Sequence, residues 1–449
     1  MRRLICVIFL LLPAFLHAAP LRVAVFEADV TPPIGTPLCD ALVMPAKEIV
    51  DSLSARGIVL LGSGDPIVLV AIDWVGIGNS GHDAFRDAIA KAAKTKRERV
   101  AVHCLHQHDA PGCDFQADEI LAKHQLSGKL FDPAFARKAI DRVAAAAAKA
   151  LDRAEPVTHL GVGKAKVEEV ASNRRVMGLD GKVKHVRFSA TKDPKVRAEP
   201  EGLIDPYLQS LTFWNGDRPI AVLSYYATHP QSHYGKGQVS CDFPGLARNL
   251  RDKAMPGTMH IHFNGAGGNV TAGKYNDGAV ANRPILAQRL ETGMKSAFDS
   301  SNKAAIDAKD VEWRRIAITL PPSERLKIDE LSKMIADESA PLALRLKSAR
   351  DLAWAERCRR GDKIDVQALK LGGVYVLHLP GELFVEYQLA AQKMRPNDSV
   401  LTAAYGDYGM GYIGVQAAYS EGGYETGPVS RVAPNVESPL MDGIRQLLR

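Results

Sequence analysis

Cysteine is scarce in this sequence, and the shortage excludes a class of protein. Six cysteines occur in 449 residues, and the first of them, Cys6, lies in the N-terminal leader described below. The other thiols form no C-x-x-C pair, and their number is too small for a disulfide scaffold. We expect mostly buried free thiols at Cys39, Cys104, Cys113, Cys241 and Cys358.

Low-complexity tracts and blocks of like charge are also lacking. The net charge of +6 is spread along the chain, and the lack of a basic stripe argues against nucleic acid as a partner. An apolar fraction of 46% indicates a large buried core, which excludes disorder, collagen and coiled coil for most of the chain. A length of 449 residues suits two or three domains, or one large α/β domain.

The N-terminus has the layout of a secretory signal. Two arginines precede an apolar run at residues 4–12, and small residues follow at Ala18 and Ala19. The run is shorter than the about 20 residues that a membrane-spanning helix needs. We therefore predict a signal peptide over 1–19, a mature domain over 20–449, and a secreted or periplasmic location. The alternative interpretation is an uncleaved membrane anchor.

Strand-like and helix-like runs alternate along the mature chain, which is typical of an α/β protein. We predict mixed β-sheets flanked by helices, without an internal repeat. The predicted strands are 21–25, 57–61, 67–72, 100–108, 208–214, 220–226, 259–263, 371–379 and 399–405. The predicted helices are 83–94, 133–154, 246–253 and 282–298.

Two polar stretches interrupt this alternation. Residues 177–206 are rich in turn formers, and we predict a long surface loop there. Residues 323–360 are charged and mostly helical, with an interruption near Pro341. We predict that they form a helical pair inserted on one side of the core.

The sharpest local feature is HQHDAPG at residues 106–112, at the end of a predicted strand. On an extended backbone, alternate side chains lie on one face, which would place His106 and His108 together. Neutral imidazole is a good zinc ligand. From the spacing alone, two structural histidines beside a turn are as well supported as a metal site.

Two further strand ends offer metal ligands. Pro230 keeps His229 extended at one of them, and a turn at Pro380 and Gly381 presents Glu382 at the other. Taken singly, a structural histidine and a solvated glutamate are the simpler interpretations. Together with the His-x-His pair they favour a metal site at strand ends, where ligands in α/β sheets gather.

The glycine-rich segment at residues 264–271 lacks the spacing and the Lys-Ser/Thr pair of a nucleotide-binding P-loop. Its glycines would instead let backbone amides approach a ligand, as an oxyanion site requires. His260 and His262 just before it form a second His-x-His pair. Because their predicted position is central in a strand, we rank them second as metal ligands.

Seven motifs, in order, resemble those of the neutral ceramidases, zinc-dependent amidohydrolases that cleave ceramide to sphingosine and a fatty acid. Each motif alone is weak, but their order is specific, and the resemblance runs from about residue 21 to residue 430. The motifs are ADVTPP at 28–33, HQHDAPG at 106–112, NRR at 173–175, HP at 229–230, CDFPG at 241–245, PGE at 380–382, and GYI at 411–413 with EGGYE at 421–425.

This resemblance implies site residues. It implies that His108 transfers a proton or contacts the oxyanion, and that Arg174, with its fixed fork of donors, contacts the substrate carbonyl oxygen. Without it, Tyr412 would be interpreted as an aromatic packed in a glycine-rich loop, and Arg174 as a basic loop residue. The implied zinc ligands are His106, His229, Glu382 and Tyr412.

The chain departs from the family pattern at several positions. The family segment Gly-Asp-Val-Ser, whose serine lies in the active site, is GNVT here, so that Asn269 and the third predicted catalytic residue, Thr271, are the changed positions. The histidine motif carries Gln107, Asp109 and Ala110 where Thr, Ser and Gly are usual. The sequence also lacks the family's immunoglobulin-like C-terminal domain, from which we expect weaker discrimination between acyl-chain lengths.

These observations predict a secreted zinc-dependent amidohydrolase that cleaves an N-acyl amide with zinc-activated water. The predicted partners are a small-molecule or lipid amide, with contact at a membrane surface in the lipid case, and no nucleic acid. Two alternatives stay open. One is a zinc hydrolase of the same fold acting on a non-ceramide amide or ester, and the other is a lipid- or metal-binding protein that has lost catalysis.

Overall fold

The computed structural model describes residues 20–449, so the predicted signal peptide at 1–19 lies outside the described residues. The helices are α1 Asn79–Ala92, α2 Phe115–Ala122, α3 Pro133–Ala150, α4 Pro194–Ala198, α5 Asp242–Ala254, α6 Asn282–Asp299, α7 Ile328–Ala336, α8 Leu342–Arg359, α9 Val385–Met394, α10 Gln416–Glu421 and α11 Glu437–Leu447.

The strands are numbered in chain order. They are β1 Arg22–Asp29, β2 Glu48–Ile49, β3 Ser54–Leu61, β4 Ile67–Ile72, β5 Gly76–Ile77, β6 Val100–Cys104, β7 Gly112–Cys113, β8 Glu155–Pro156, β9 His159–Lys166, β10 Ser172–Asn173, β11 Arg175–Met177, β12 Val183–Val186, β13 Tyr207–Asn215, β14 Arg218–Tyr226, β15 Gln238–Val239, β16 Met259–Asn264, β17 Val270–Thr271, β18 Asn302–Ala305, β19 Val311–Ile318, β20 Ile364–Leu371, β21 Val374–His378, β22 Glu382–Leu383, β23 Ser399–Ala403 and β24 Tyr412–Ile413.

Three mixed sheets form the centre of the fold. Sheet 1 has the strand order β6-β4-β3-β1-β8, sheet 2 has β16-β14-β13-β9-β18, and sheet 3 has β19-β20-β21-β23. Each sheet combines antiparallel strands with one parallel pair, which is β4–β6, β14–β16 or β21–β23. The predicted fold class, mixed sheets flanked by helices, is confirmed.

The three sheets share one apolar core, and helices cover their outer faces. Val23 of β1, Leu211 of β13 and Val376 of β21 are buried in the same cluster. Helices α1 and α3 pack on sheet 1, α5 and α6 on sheet 2, and α9 and α11 on sheet 3. A strand covered on both faces has no polar side, and all six residues of β4, IVLVAI, are accordingly buried.

The two predicted hairpins are present, as β3–β4 and β13–β14. The predicted strand 100–108 is too long, because β6 ends at Cys104. The predicted strand 371–379 is wrong in its start: β21 begins at Val374, after a turn that follows β20.

The prediction of a long surface loop at 177–206 is wrong in part. The stretch contains β12 and the short helix α4, and it folds around the buried side chain of Arg187. The Arg187 guanidinium donates to the backbone carbonyls of Val196, Glu199 and Pro200. One cation therefore satisfies three carbonyls that would otherwise need solvent.

The stretch at 323–360 is helical and interrupted, as predicted. Helices α7 and α8 are separated by a break at Pro341, which precedes the first residue of α8. Helix α8 is part of the main core, since Leu346, Leu352 and Trp354 are buried there. That the pair is an insertion stays a prediction.

Two smaller sequence-based expectations concern thiols and membranes. Within residues 20–449 the five cysteines are all free, and Cys358 alone of them is partly exposed, which confirms that expectation. Over the same residues, no helix combines the length and the apolar character needed to cross a bilayer.

Candidate metal centre and active site

One predicted metal ligand lies beyond a strand end of each of the three sheets, and the three side chains meet at a common point. His106 follows β6 of sheet 1, His229 follows β14 of sheet 2, and Glu382 follows β21 of sheet 3. The nitrogen and oxygen ligand atoms of the three side chains all lie within 4.8 Å of one another, and all three residues are buried. The sequence-based expectation that these strand ends converge is therefore met in the geometry.

His106 reaches the site from a sharp turn and not from an extended strand. Its φ is 71°, in the left-handed region, and its amide donates to the Trp74 carbonyl at 2.9 Å. The predicted reason for pairing His106 with His108, an extended backbone, is thus wrong. The turn nevertheless brings the two imidazole rings to 5.0 Å between centroids in an edge-to-face arrangement.

Glu382 and Tyr412 are neighbours by strand register. The two-residue strands β22 and β24 pair in parallel, with Glu382 opposite Tyr412 and Leu383 opposite Ile413. Glu382 is 1% exposed, which excludes the interpretation of a solvated loop residue. A strand pair of this kind places a carboxylate and a phenol side by side on one face.

The donor set fits a divalent metal of the zinc type. Nδ1 of His106 faces the Val75 carbonyl oxygen at 2.5 Å, and Nδ1 of His229 faces that of Gly267 at 2.6 Å. If each Nδ1 carries the ring proton and donates it to its carbonyl, each Nε2 has a free lone pair. Both lone pairs face Oε2 of Glu382, which lies 3.2 Å from Nε2 of His106 and 3.0 Å from Nε2 of His229. Lone pairs facing a carboxylate repel it unless a cation lies between them, and a carbonyl behind each ligating imidazole is typical of zinc sites.

The electrostatics favour the deprotonated ligands that metal binding requires. Burial lowers the pKa of His229 to about 4, and Arg174 acts in the same direction. Burial opposes ionisation of Glu382, yet positive charge facing its carboxylate from the side of His106 and His229 holds the carboxyl pKa well below the ordinary value. Both groups are consequently unprotonated near neutral pH.

Tyr412 completes the cluster and connects it to Arg174. Its hydroxyl lies 3.1 Å from Nε2 of His229 and accepts a hydrogen bond from the Arg174 guanidinium at 2.9 Å. Burial raises the pKa of the Tyr412 phenol well above its usual range, and Arg174 opposes that rise. Arg174 itself is buried, and its Nε lies 3.7 Å from the Glu425 carboxylate.

His108 lies in the lining of a cavity of about 200 Å³ beside these ligands. Burial is the main cause that lowers the pKa of its imidazole well below the ordinary value, so the ring is neutral. The amide of Gln231 contacts the His108 ring, and Tyr234 packs edge-on to it at 4.9 Å between centroids. Sequence reasoning did not identify Gln231 or Tyr234.

Thr271, the third predicted catalytic residue, lies in β17. Its side chain is fully buried, and its hydroxyl donates to the Arg187 carbonyl at 3.3 Å and accepts from the Gly273 amide at 3.1 Å. The neighbouring Asn269 accepts a hydrogen bond from the Val385 amide at the start of α9. The Thr271 hydroxyl thus has two protein partners, and its catalytic role stays a prediction.

The glycines of residues 264–271 serve backbone packing. The amides of Gly265 and Gly268 donate to the carbonyls of Tyr226 and Leu383, so the oxyanion role expected of this segment is wrong for these two. A Cβ on Gly268 would lie 2.3 Å from the Glu382 carbonyl oxygen. Glycine is therefore needed there to let the segments that carry the candidate ligands approach each other.

Three tyrosines that were not predicted as site residues surround the cluster. The Tyr408 hydroxyl donates to Oε1 of Glu382 at 2.6 Å, which leaves Oε2 for the histidines. Tyr405 stacks on the His106 ring at 4.7 Å, and Tyr424 packs edge-on to Tyr412 at 5.8 Å. The close spacing of tyrosines over residues 405–424 could have indicated a functional site, but tyrosines are also common in ordinary protein cores.

The second-ranked pair, His260 and His262, lies elsewhere in β16. Nδ1 of His262 is 2.9 Å from the Ser224 hydroxyl. The one group of three or more candidate ligands found among residues 20–449 is His106, His229 and Glu382. Ranking the β16 pair below the strand-end histidines is consistent with this geometry.

Comparison with known proteins identifies the fold. A structure described as ceramidase complexed with C2 superposes with a TM-score of 0.69 at 15% sequence identity, covering 96% of this chain and 75% of that one. The neutral ceramidase from Pseudomonas aeruginosa gives a TM-score of 0.69 at 16% identity, with 96% and 74% covered. No family model and no curated protein matches the chain. The chain thus has the neutral ceramidase fold, and the resemblance read from its motifs is confirmed at the level of the fold.

Proposed function

We propose that this protein is a secreted zinc-dependent amidohydrolase that cleaves an N-acyl amide bond. The observation that carries the proposal is the convergence of His106, His229 and Glu382, each from a different sheet, with both imidazoles held by backbone carbonyls. The neutral ceramidase fold supports the same reaction class, since the two superposed structures are named ceramidases, and a ceramidase hydrolyses an amide bond.

His106, His229, Glu382 and Tyr412 would hold the zinc ion. Bound zinc supplies a Lewis acid for the amide carbonyl and lowers the pKa of a coordinated water to about 7. Tyr408 keeps the Glu382 carboxylate oriented through its hydrogen bond to Oε1. Arg174 stabilises the Tyr412 oxygen in its anionic form by donating to it.

The remaining residues would act on the substrate. His108 lies in the cavity lining beside the metal ligands, and from there it would transfer a proton to the leaving amine. Arg174 would stabilise the charge that grows on the substrate carbonyl oxygen, and its position beside Tyr412, to which it donates at 2.9 Å, supports this role. Thr271 would act through its hydroxyl, and its neighbour Val270 accepts a hydrogen bond from the His229 amide.

The experiment that tests the proposal is metal analysis of the purified protein. We expect one zinc per chain, lost in His106→Ala, His229→Ala and Glu382→Ala and retained in His185→Ala, which changes an exposed histidine on β12. Wild-type preparations that never contain stoichiometric zinc would refute the metal centre.

A panel of fluorogenic N-acyl amides and esters separates the alternatives. Turnover of ceramide places the protein with the ceramidases in activity as well as fold. Turnover of short amides or esters without ceramide identifies a hydrolase of the same fold with another substrate. Zinc without any turnover identifies a metal-binding protein that has lost catalysis.

A further inference from the structure

Helix α8 forms one wall of the cavity beside the candidate metal ligands. Four of its residues, Ala343, Leu346, Lys347 and Arg350, line the cavity. Their spacing of i, i+3, i+4 and i+7 places them on one helix face. The face that α8 presents to the cavity therefore carries two cations.

The Arg350 guanidinium has N–H donors that are not paired with a protein acceptor within residues 20–449. Its side chain is 13% exposed and forms an ion pair with Asp40 at 2.8 Å, which is its one ion pair or hydrogen bond within residues 20–449. The Tyr408 ring lies 5.7 Å from the guanidinium carbon. A guanidinium has five N–H donors, so several donors of a largely buried, cavity-lining group are without a protein acceptor.

The charge around Lys347 is also unbalanced. One carboxylate, Asp351, is shared by Arg325, Lys347 and Arg431, each at 2.7 Å. Lys347 and Arg431 both line the cavity. Burial lowers the pKa of Lys347, and although Asp351 opposes this, Arg325 and Arg431 lower it further.

The acidic groups nearby do not remove this excess. Apart from Glu382, Asp40 is the carboxylate among the lining residues, and it is paired with Arg350. Asp114 also attracts Arg350 by its charge, but its oxygens cap α2 and accept a hydrogen bond from Asn79 at 2.7 Å. The wall formed by α8 is thus a site of positive charge next to the reaction centre.

We propose that Arg350 and Lys347 form a subsite for a carboxylate on the substrate, so that the substrate class is short N-acyl amides that carry an anionic group. This inference rests on the proposed amidohydrolase function. The planar guanidinium can pair with a carboxylate through two parallel hydrogen bonds. The cavity volume of about 200 Å³ is below the roughly 300–1,000 Å³ of pockets that enclose drug-sized ligands, which favours a short substrate.

The test compares acids with uncharged amides of the same shape. N-hexanoylglycine is paired with N-hexanoyl-2-methylpropylamine, and the N-propyl monoamide of succinate with N-propyl-4-methylpentanamide, so that a carboxylate on either side of the amide is sampled. Calorimetry gives Kd for each ligand on the protein as purified and after EDTA treatment, and kcat/KM is measured after zinc loading.

We expect at least one acid to bind about tenfold more tightly than its uncharged partner, as is typical of hydrogen bonds to charged groups. Arg350→Gln, which keeps an amide donor for Asp40, should remove this preference. Lys347→Met should reduce it about threefold, because the Lys347 side chain is 37% exposed and its charge is better screened. Lys333→Met, an exposed lysine on α7, should leave it unchanged.

Binding and turnover distinguish failure of this inference from failure of the proposed function. Equal Kd values within both pairs, or a preference that survives Arg350→Gln and Lys347→Met, overturn the subsite even if all four amides are hydrolysed. Preferred binding of an acid without hydrolysis of any amide keeps the subsite and overturns the amidohydrolase. Thermal unfolding checks that each variant is folded. If Arg350→Gln does not fold, the result for Lys347→Met alone decides whether the subsite exists.

Discussion

Thr271 is the residue at which a structural and a catalytic role can be separated by two substitutions. Its buried hydroxyl bonds to the backbone of Arg187 and Gly273. We predict that Thr271→Ala lowers the free energy of unfolding by about 1–2 kcal/mol, since a buried donor and acceptor lose their partner. Thr271→Ser should restore most of this stability and retain or increase the proposed amidase activity. Urea denaturation and kcat/KM measure the two effects.

Either of two results would contradict this prediction. An alanine variant with normal stability and no activity would show that the hydroxyl acts in the reaction and not in the fold. Alanine and serine variants that both match the wild type would show that the residue has no role in either.

His262 is predicted to make the protein less stable in acid. Burial lowers its pKa to about 3, with Arg248 acting in the same direction, against about 6.5 in the unfolded chain. The unfolded state therefore binds this proton first, and stability is lost as the pH falls below about 6.5. At pH 5 the loss amounts to about 2 kcal/mol relative to pH 8.

The measurement is a comparison of wild type with His262→Asn by chemical denaturation of EDTA-treated protein at pH 8, 6.5 and 5. EDTA treatment removes the effect of acid on metal binding, and the comparison cancels other groups, such as Asp114, whose pKa burial raises to about 6. The difference in free energy of unfolding between wild type and His262→Asn should become smaller as the pH falls. A difference independent of pH would show that His262 does not titrate as described.

At the scale of elements, the paired strands β22 and β24 position the carboxylate and the phenol of the site. Gly381, with φ of 61°, precedes Glu382, and a Cβ there would lie 2.5 Å from the Gly411 carbonyl oxygen. We predict that Gly381→Ala separates the two strands, shifts Glu382 and weakens binding of the proposed zinc ion by about ten- to a hundredfold, the range found when residues that support metal ligands are changed.

Gly372 offers a matched control for this substitution. Its φ is 60°, but a Cβ there meets nothing within 4 Å. Gly372→Ala should therefore share the conformational penalty of about 1 kcal/mol and keep the zinc affinity. A competition titration with a zinc chelator gives both affinities. Equal affinities in the two variants would show that the strand pair does not set the ligand position.

These strands also show why sequence reasoning proposed candidate ligands but could not predict their arrangement. Local patterns predicted the hairpins β3–β4 and β13–β14, because apolar periodicity and glycine turns act over a few residues. The pairing of Glu382 with Tyr412 joins two-residue strands that are far apart in sequence, and such short strands carry no periodicity. The resemblance to a known family, and not the spacing, connected these two residues.

Sequence reasoning also could not predict the backbone conformation of His106 or the role of a buried cation. Nothing in the sequence HQHDAPG shows that His106 lies at φ of 71°, because the turn is imposed by its hydrogen bond to Trp74. The polar stretch 177–206 was predicted as a loop because polar residues are usually solvated. Its fold depends on the buried Arg187, whose carbonyl partners are distant enough to leave no local signal.

At the scale of the whole molecule, the site depends on how three sheets pack. Sheets 1, 2 and 3 each carry one of His106, His229 and Glu382 beyond a strand end, and they share a single apolar core. A shift of one sheet against another would therefore separate the ligands. Because all three candidate ligands are anchored in the common core, packing fixes their positions, which would lower the ordering cost of a metal bound there.

The packing of the sheets and of α8 also limits the substrate, and a series of N-acyl amides with increasing chain length measures this limit. The cavity beside the ligands has a volume of about 200 Å³. Each methylene that it buries contributes up to about 0.8 kcal/mol, so kcat/KM should rise over the first few carbons. Further carbons would extend into solvent, and we predict a plateau. A rise that continues to long acyl chains would require an apolar groove beyond this cavity, and it would place the specificity with ceramide-like lipids.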